Sequence, residues 1–141
     1  MDNKFDVVIV GTGAAGLYAA LNFPESVNIL LVSKRELQLS NSSLAQGGVA
    51  CVLDTVHDSY KLHITDTLIA GKYKNTLSAV EKLVTEGPSD VLKIKDLGVD
   101  FDLNEDGTMC KTLEAGHSRN RIVHHKDSTG KAIVDGLIAK V

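Results

Sequence analysis

The stretch FDVVIVGTGAAGLYAALNF, residues 5–23, leaves few folds open to this chain. A continuous run rich in β-branched residues passes directly into Gly11-Thr12-Gly13-Ala14-Ala15-Gly16, and the apolar helix that follows must stop before Pro24. After Pro24-Glu25-Ser26 a second apolar run, VNILLV, occupies 27–32. Strand, tight turn, helix and strand within about 30 residues make a βαβ unit. Both runs are apolar enough to predict parallel strands buried on both faces. In such a turn Gly11 permits the sharp bend, Gly13 lets backbone approach a pyrophosphate, and Gly16 lets the helix pack on the strand. The helix N-terminus adds unpaired N–H groups and a partial positive charge. A bare GxGxxG is a weak signal, but between two such strands it predicts dinucleotide binding over a purely structural turn.

The same pattern calls for an acidic residue about 20 positions on, to grip ribose hydroxyls. Here the second strand ends in Ser33-Lys34-Arg35-Glu36 instead. Ser33 can still hydrogen-bond a ribose hydroxyl, and Lys34 can face adenosine or phosphate oxygens. The alternative is that Lys34 and Arg35 only solvate a strand end. A generic NAD reading is weakened, and a nucleotide is retained.

The rest of the chain is consistent with one α/β domain, the size expected from 141 residues with 43% hydrophobic content. Tyr60, Ile64 and Leu68 recur at helical spacing between Asp58 and Ala70, as do Leu77, Val80, Leu83 and Val84 between Asn75 and Glu86. A third helix is expected to start at Pro88 and to end before Gly98, a left-handed cap. Val99, Phe101 and Leu103, the turn NEDG at 104–107, and Met109, Lys111 and Leu113 then read as a β-hairpin. RIVHH, 121–125, predicts a short strand, and a last helix beginning at Ser128 or Thr129 is expected to be still running at Val141.

A net charge of −3 gives no electrostatic reason for a nucleic acid or an anionic membrane as partner, and no run of about 18 apolar residues is present. Residues 1–16 lack the basic start and long apolar stretch of a secretory signal. Cys51 and Cys110, far apart and without CxxC spacing, suit free, non-catalytic thiols in a reducing cytosol. The chain reads as soluble and cytoplasmic. His57 and His63 are expected on a helix face or loop, and His124-His125 has no Cys or carboxylate at ligand spacing, so no metal site is expected.

Taken in order, DVVIVGTGAAGLYAAL, LLVSK, NSSLAQGGVA, DTLIAGKYKN and EAGHSRNRIVHHKDSTGKAI resemble the flavoprotein family of L-aspartate oxidase, succinate dehydrogenase and fumarate reductase over nearly the whole chain. The resemblance implies a Rossmann-like FAD-binding fold, of which residues 1–141 are the N-terminal part, without the capping and substrate domain. It implies that Asn41, Ser42, Ser43, Leu44, Ala45, Gln46, Gly47 and Gly48 wrap the isoalloxazine end of FAD, alongside the phosphate turn, Ser33 and Lys34. Five residues before the Gln of AQGG, membrane-complex members carry a histidine bonded covalently to FAD. Asn41 stands there in this chain, so non-covalent FAD is expected.

LEAGHSRNR looks like the EGGHS motif of the L-aspartate oxidase branch, with Ala115 at its first glycine and Glu114, Gly116, His117, Ser118 and Arg121 matched. In that branch the glutamate orients the amino-acid substrate. A physical reason agrees: aspartate carries an α-ammonium group that a carboxylate can bind and succinate lacks. The role of His117 is left open. The resemblance therefore implies oxidation of L-aspartate to iminoaspartate with electrons passed through FAD to oxygen or fumarate, the product going to quinolinate synthase in NAD biosynthesis. The family's catalytic arginine and substrate histidines lie beyond residue 141, so this stretch alone is not expected to catalyse. Two alternatives stand beside this reading: part of a soluble fumarate reductase or succinate dehydrogenase flavoprotein, and a non-catalytic nucleotide-binding module.

Overall fold

The structure, a computed structural model, describes residues 4–141. Strand β1 (Val7–Val10) pairs in parallel with β2 (Ile29–Val32), and helix α1 (Ala14–Leu21) makes the crossover between them. The predicted βαβ unit is present. A Cβ on Gly16 would collide with the Gly11 carbonyl oxygen and sit 3.4 Å from Ile9 Cγ2, so the third glycine is what lets α1 lie on β1. Burial on both faces is not found: Val8 is 55% and Val10 83% exposed. Among the described residues β1 has only β2 as a neighbour, and the face that these valines share is uncovered.

A second sheet is antiparallel, with β5 (Ile122–Val123) between β3 (Val49–Ala50) and β4 (Lys111–Thr112). The predicted hairpin exists only at its tip. Leu103 bridges Met109 across the 104–107 turn, but beyond it β4 pairs with β5. The strand at 121–125 is the stronger competitor, because the Asp102 N–H also donates to the His124 carbonyl (2.9 Å). Leu103 and Leu113 are left exposed.

Helix α2 (Tyr60–Ala70) is capped by Ser59, whose Oγ accepts from the Leu62 N–H at 3.2 Å. Its fully buried residue is His63, whereas Tyr60 is exposed. The two helices expected on either side of Pro88 are one, α3 (Leu77–Asp96). Proline inside a helix removes a hydrogen bond and crowds the carbonyl four residues back. Here Val80, Val84, Pro88 and Val91 form a single buried face, and packing along that face carries the helix through the proline; Leu77 and Leu83 stay exposed. Gly98, at φ +96, follows the helix end as expected. Helix α4 (Thr129–Ile138) starts from Ser128 but does not continue to Val141. The Leu137 carbonyl is shared by the Lys140 N–H (3.1 Å) and the Val141 N–H (3.2 Å), the bifurcated pattern common at helix ends.

Two apolar clusters hold these elements together. One gathers Cys51, Val91, Val99, Phe101, Met109 and Val123; the other gathers Leu17, Val134 and Leu137. Ile94 of α3 and Ile133 of α4 pack against both, so α3 and α4 join the βαβ unit to the small sheet.

The first turn of α4 also presses on residues 42–45. The Gly130 N–H donates to the Ala45 carbonyl at 3.0 Å, and a Cβ on Gly130 would collide with the Ser42 carbonyl oxygen and lie 2.7 Å from that of Ala45. Gly130→Ala should lower stability by about 1–3 kcal/mol, the usual cost of overpacking. Urea unfolding measures this, and an unchanged midpoint would show that the contact is slack.

Candidate functional site

The glycine-rich turn is built to receive an anion. Gly11 takes φ +111 with nothing within 4 Å of its Cβ position. The N–H groups of Thr12, Gly13 and Ala15 have no hydrogen-bond partner among the described residues, and no side chain caps α1 at Gly13. Free N–H groups at a helix N-terminus form a phosphate cradle. Thr12 is buried and its hydroxyl donates to Ser33 Oγ (3.0 Å), which also accepts from the Arg35 N–H at 3.3 Å. Ser33 is thereby fixed at the end of β2 with its own proton left to donate. Lys34 is exposed and makes no ion pair or side-chain hydrogen bond among the described residues.

Residues 41–44 form a turn closed by reciprocal bonds between Ser40 and Ser43, each N–H donating to the other's Oγ at 3.1 Å. Ser42 then ties this loop to the phosphate turn: its Oγ accepts from the Ala14 N–H at 3.2 Å, and a Cβ on Gly13 would lie 2.9 Å from that oxygen. The space that Gly13 leaves thus admits the Ser42 hydroxyl, a tie that the GxGxxG pattern does not disclose. At the loop's other end, a Cβ on Gly48 would collide with Ile122 and with the Val123 carbonyl, so the backbone lies directly on β5. Asn41, Leu44, Ala45, Gln46 and Gly47 remain exposed. A free phosphate cradle joined to a small-residue loop, with Leu44 69% exposed, fits a ligand that has a pyrophosphate and a flat, largely apolar end.

Glu114 is brought to this loop from 67 residues away in sequence, counting from Gly47; its Oε2 lies 4.0 Å from where a Cβ on Gly47 would be. The anchor is Arg121, 0% exposed. Its Nε and Nη2 donate to the two Asp58 carboxylate oxygens (2.8 Å each), and Nη1 donates to Asp66 Oδ2 at 2.6 Å. The same Asp66 oxygen accepts from the Ser118 N–H and hydroxyl, both at 2.8 Å. The loop carrying Glu114 is therefore clamped to α2. Burial pushes the Asp58 and Asp66 carboxyls up, but the hydrogen bonds from Arg121 and from the Ser59 and Ser118 N–H groups outweigh it, holding both below their ordinary range.

His63 completes the cluster. It is 6% exposed, its Nδ1 has no hydrogen-bond partner, and its ring sits 5.6 Å from that of His117. Burial first, then the charge of Arg121 and that of His117 whenever its ring is protonated, push His63 down to about 4, against the opposite pull of Asp58 and Asp66. Other histidines lie elsewhere: His57 pairs with Asp54 (2.9 Å), and His124 with Asp102 (3.0 Å), a carboxylate that sequence spacing did not supply. Burial pushes the Cys51 thiol up to about 12, which leaves it an unreactive thiol.

Because His63 is neutral in the fold, the unfolded chain binds its proton first. The stability it allows is full above its ordinary value of 6.5 and is lost as pH falls toward about 4. Urea midpoints should decline over that window in the native chain. In His63→Leu the decline should be clearly shallower, and an identical slope would mean that another group sets it.

The FAD binding domain family matches residues 6–141. L-aspartate oxidase of Clostridium perfringens is 47% identical over 141 residues, covering 100% of this chain and 31% of that protein. The L-aspartate oxidase of Acinetobacter baylyi is 46% identical, covering 98% of this chain and 25% of the relative. Among solved structures, an E. coli quinol fumarate reductase superposes with a TM-score of 0.90 at 28% identity, over 96% of this chain and 23% of the other. The Sdh1 of Mycobacterium smegmatis gives 0.88 at 32% identity, over 94% and 23%. This chain thus spans less than a third of the length of these relatives. No helix among the described residues is long and apolar enough to cross a membrane. Matched over nearly its full length, the chain belongs to the FAD binding domain family, and its cofactor is FAD.

Proposed function

We propose that this chain is the N-terminal, FAD-binding portion of an L-aspartate oxidase. The observation that carries the reading is the placement of Glu114 beside Gly47, within a loop clamped by Arg121 and Asp66. In this reading Gly11, Thr12, Gly13, Ala14, Ala15 and Gly16 hold the pyrophosphate, Ser33 and Lys34 serve the ribose and adenosine end, and residues 41–48 hold the flavin end. FAD, when bound, supplies the two-electron oxidation, and the protein supplies orientation and charge. Glu114 accepts hydrogen bonds from the α-ammonium of L-aspartate and so sets which carbon faces the flavin loop. The substrate loses two electrons and two protons to give iminoaspartate. Oxygen, becoming hydrogen peroxide, or fumarate, becoming succinate, takes them up. Iminoaspartate would then pass to quinolinate synthase in NAD biosynthesis, in the cytoplasm.

The variant Glu114→Gln tests this reading in the complete oxidase. A hydrogen bond to a charged group contributes roughly 1.5–3 kcal/mol, so kcat/KM for aspartate should fall about ten- to a hundredfold. Fumarate reduction, whose substrate has no ammonium group, should be unchanged or slightly faster. Equal losses in both reactions would assign Glu114 to the fold or the flavin and favour the fumarate reductase reading.

Asn41 offers no imidazole for a covalent link to the flavin. Urea or acid should accordingly release all FAD from the complete protein into the supernatant. Flavin fluorescence that migrates with the denatured polypeptide would refute non-covalent binding.

A further inference from the structure

Arg121 does more than clamp two carboxylates. A guanidinium has five N–H protons and no acceptor. Three bonds go to Asp58 and Asp66, and a further Nη1 proton faces His117 Nδ1 at 3.2 Å. Since Arg121 can only donate, Nδ1 of His117 must accept, and the ring proton sits on Nε2. That Nε2 has no hydrogen-bond partner among the described residues, and His117 is half-buried, whereas Arg121 is sealed off from any ligand. The His63 ring, inclined at 58° to that of His117, packs beside it and limits its rotation.

His117 belongs to the same turn as Glu114. Its N–H donates to the Glu114 carbonyl at 3.2 Å, and Gly116 between them takes φ +85. One turn therefore presents a carboxylate acceptor and, three residues on, an imidazole donor of fixed tautomer. An α-amino acid presents the complementary pair, an ammonium group and a carboxylate on one carbon. We propose that His117, held as its Nε2–H tautomer by Arg121, donates a hydrogen bond to a carboxylate of the substrate whose ammonium group Glu114 binds. The assignment rests on the amino-acid reading above, but it concerns a group that aspartate shares with dicarboxylates lacking nitrogen. The two residues therefore divide the work: Glu114 selects for the amine, and His117 binds any ligand with the carboxylate.

The test uses the complete flavin-loaded oxidase and succinate, which has the carboxylates and no amine. Succinate binding, followed through the perturbed flavin spectrum, should weaken about tenfold or more in His117→Phe. In His117→Gln, which keeps an N–H donor near the position of Nε2, it should weaken no more than about threefold. Imidazole nitrogen NMR of the unsubstituted protein should show Nδ1 without a proton and Nε2 with one. Succinate binding unchanged in His117→Phe, or a proton on Nδ1, would overturn the proposal; if His117→Phe does not load flavin, the NMR result alone decides. Glu114→Gln should bind succinate normally. A loss of succinate affinity there would sink the amino-acid reading while leaving the role of His117 intact.

Discussion

The contact on which the site depends is the buried guanidinium of Arg121 between Asp58 and Asp66. Arg121 immediately precedes β5, Asp58 precedes α2, and Asp66 lies within it, so one side chain fixes the small sheet to a helix. Removing one partner of a buried, hydrogen-bonded ion pair costs about 3–5 kcal/mol, because the remaining charge is left uncompensated. Here the cost extends beyond stability. Asp66 also receives both Ser118 donors, and Arg121 also orients His117, so the geometry of residues 114–118 follows from the same pair.

A second set of contacts fixes the loop at 41–48 independently of Arg121. Ser42 reaches the start of α1, Gly130 lets α4 press on the carbonyls of Ser42 and Ala45, and Gly48 sets the loop's end on β5. Each contact depends on a position where a side chain would collide or crowd. The loop and the Glu114 turn meet at Gly47, with β5 supporting one and Arg121 holding the other. The arrangement suits the proposed flavin site, because two fixed backbone segments meet at Gly47.

The sequence disclosed what short-range chemistry determines. The βαβ unit and the Gly98 cap could be read because each signal lies within a few residues of its effect. Pro88 misled because a buried face formed by Val80, Val84 and Val91 outweighs a local helix breaker. The hairpin misled for a similar reason, since β4 found a better partner in β5. The Arg121 cluster spans 55 and 63 residues to its two aspartates, and nothing in local spacing points to it. Residues 41–48 and Glu114 were recognisable only through the family resemblance, and the structure adds the physical reason that they meet at Gly47.

In the proposed function, the anchored turn at 114–117 adapts an FAD site to an amino-acid donor. Anaerobic addition of substrate to the complete, flavin-loaded protein tests it directly, because the flavin itself reports the transfer of electrons. L-aspartate should bleach the yellow absorption in proportion to the flavin present, and succinate should leave it largely intact. Bleaching by succinate with none by L-aspartate would contradict the account.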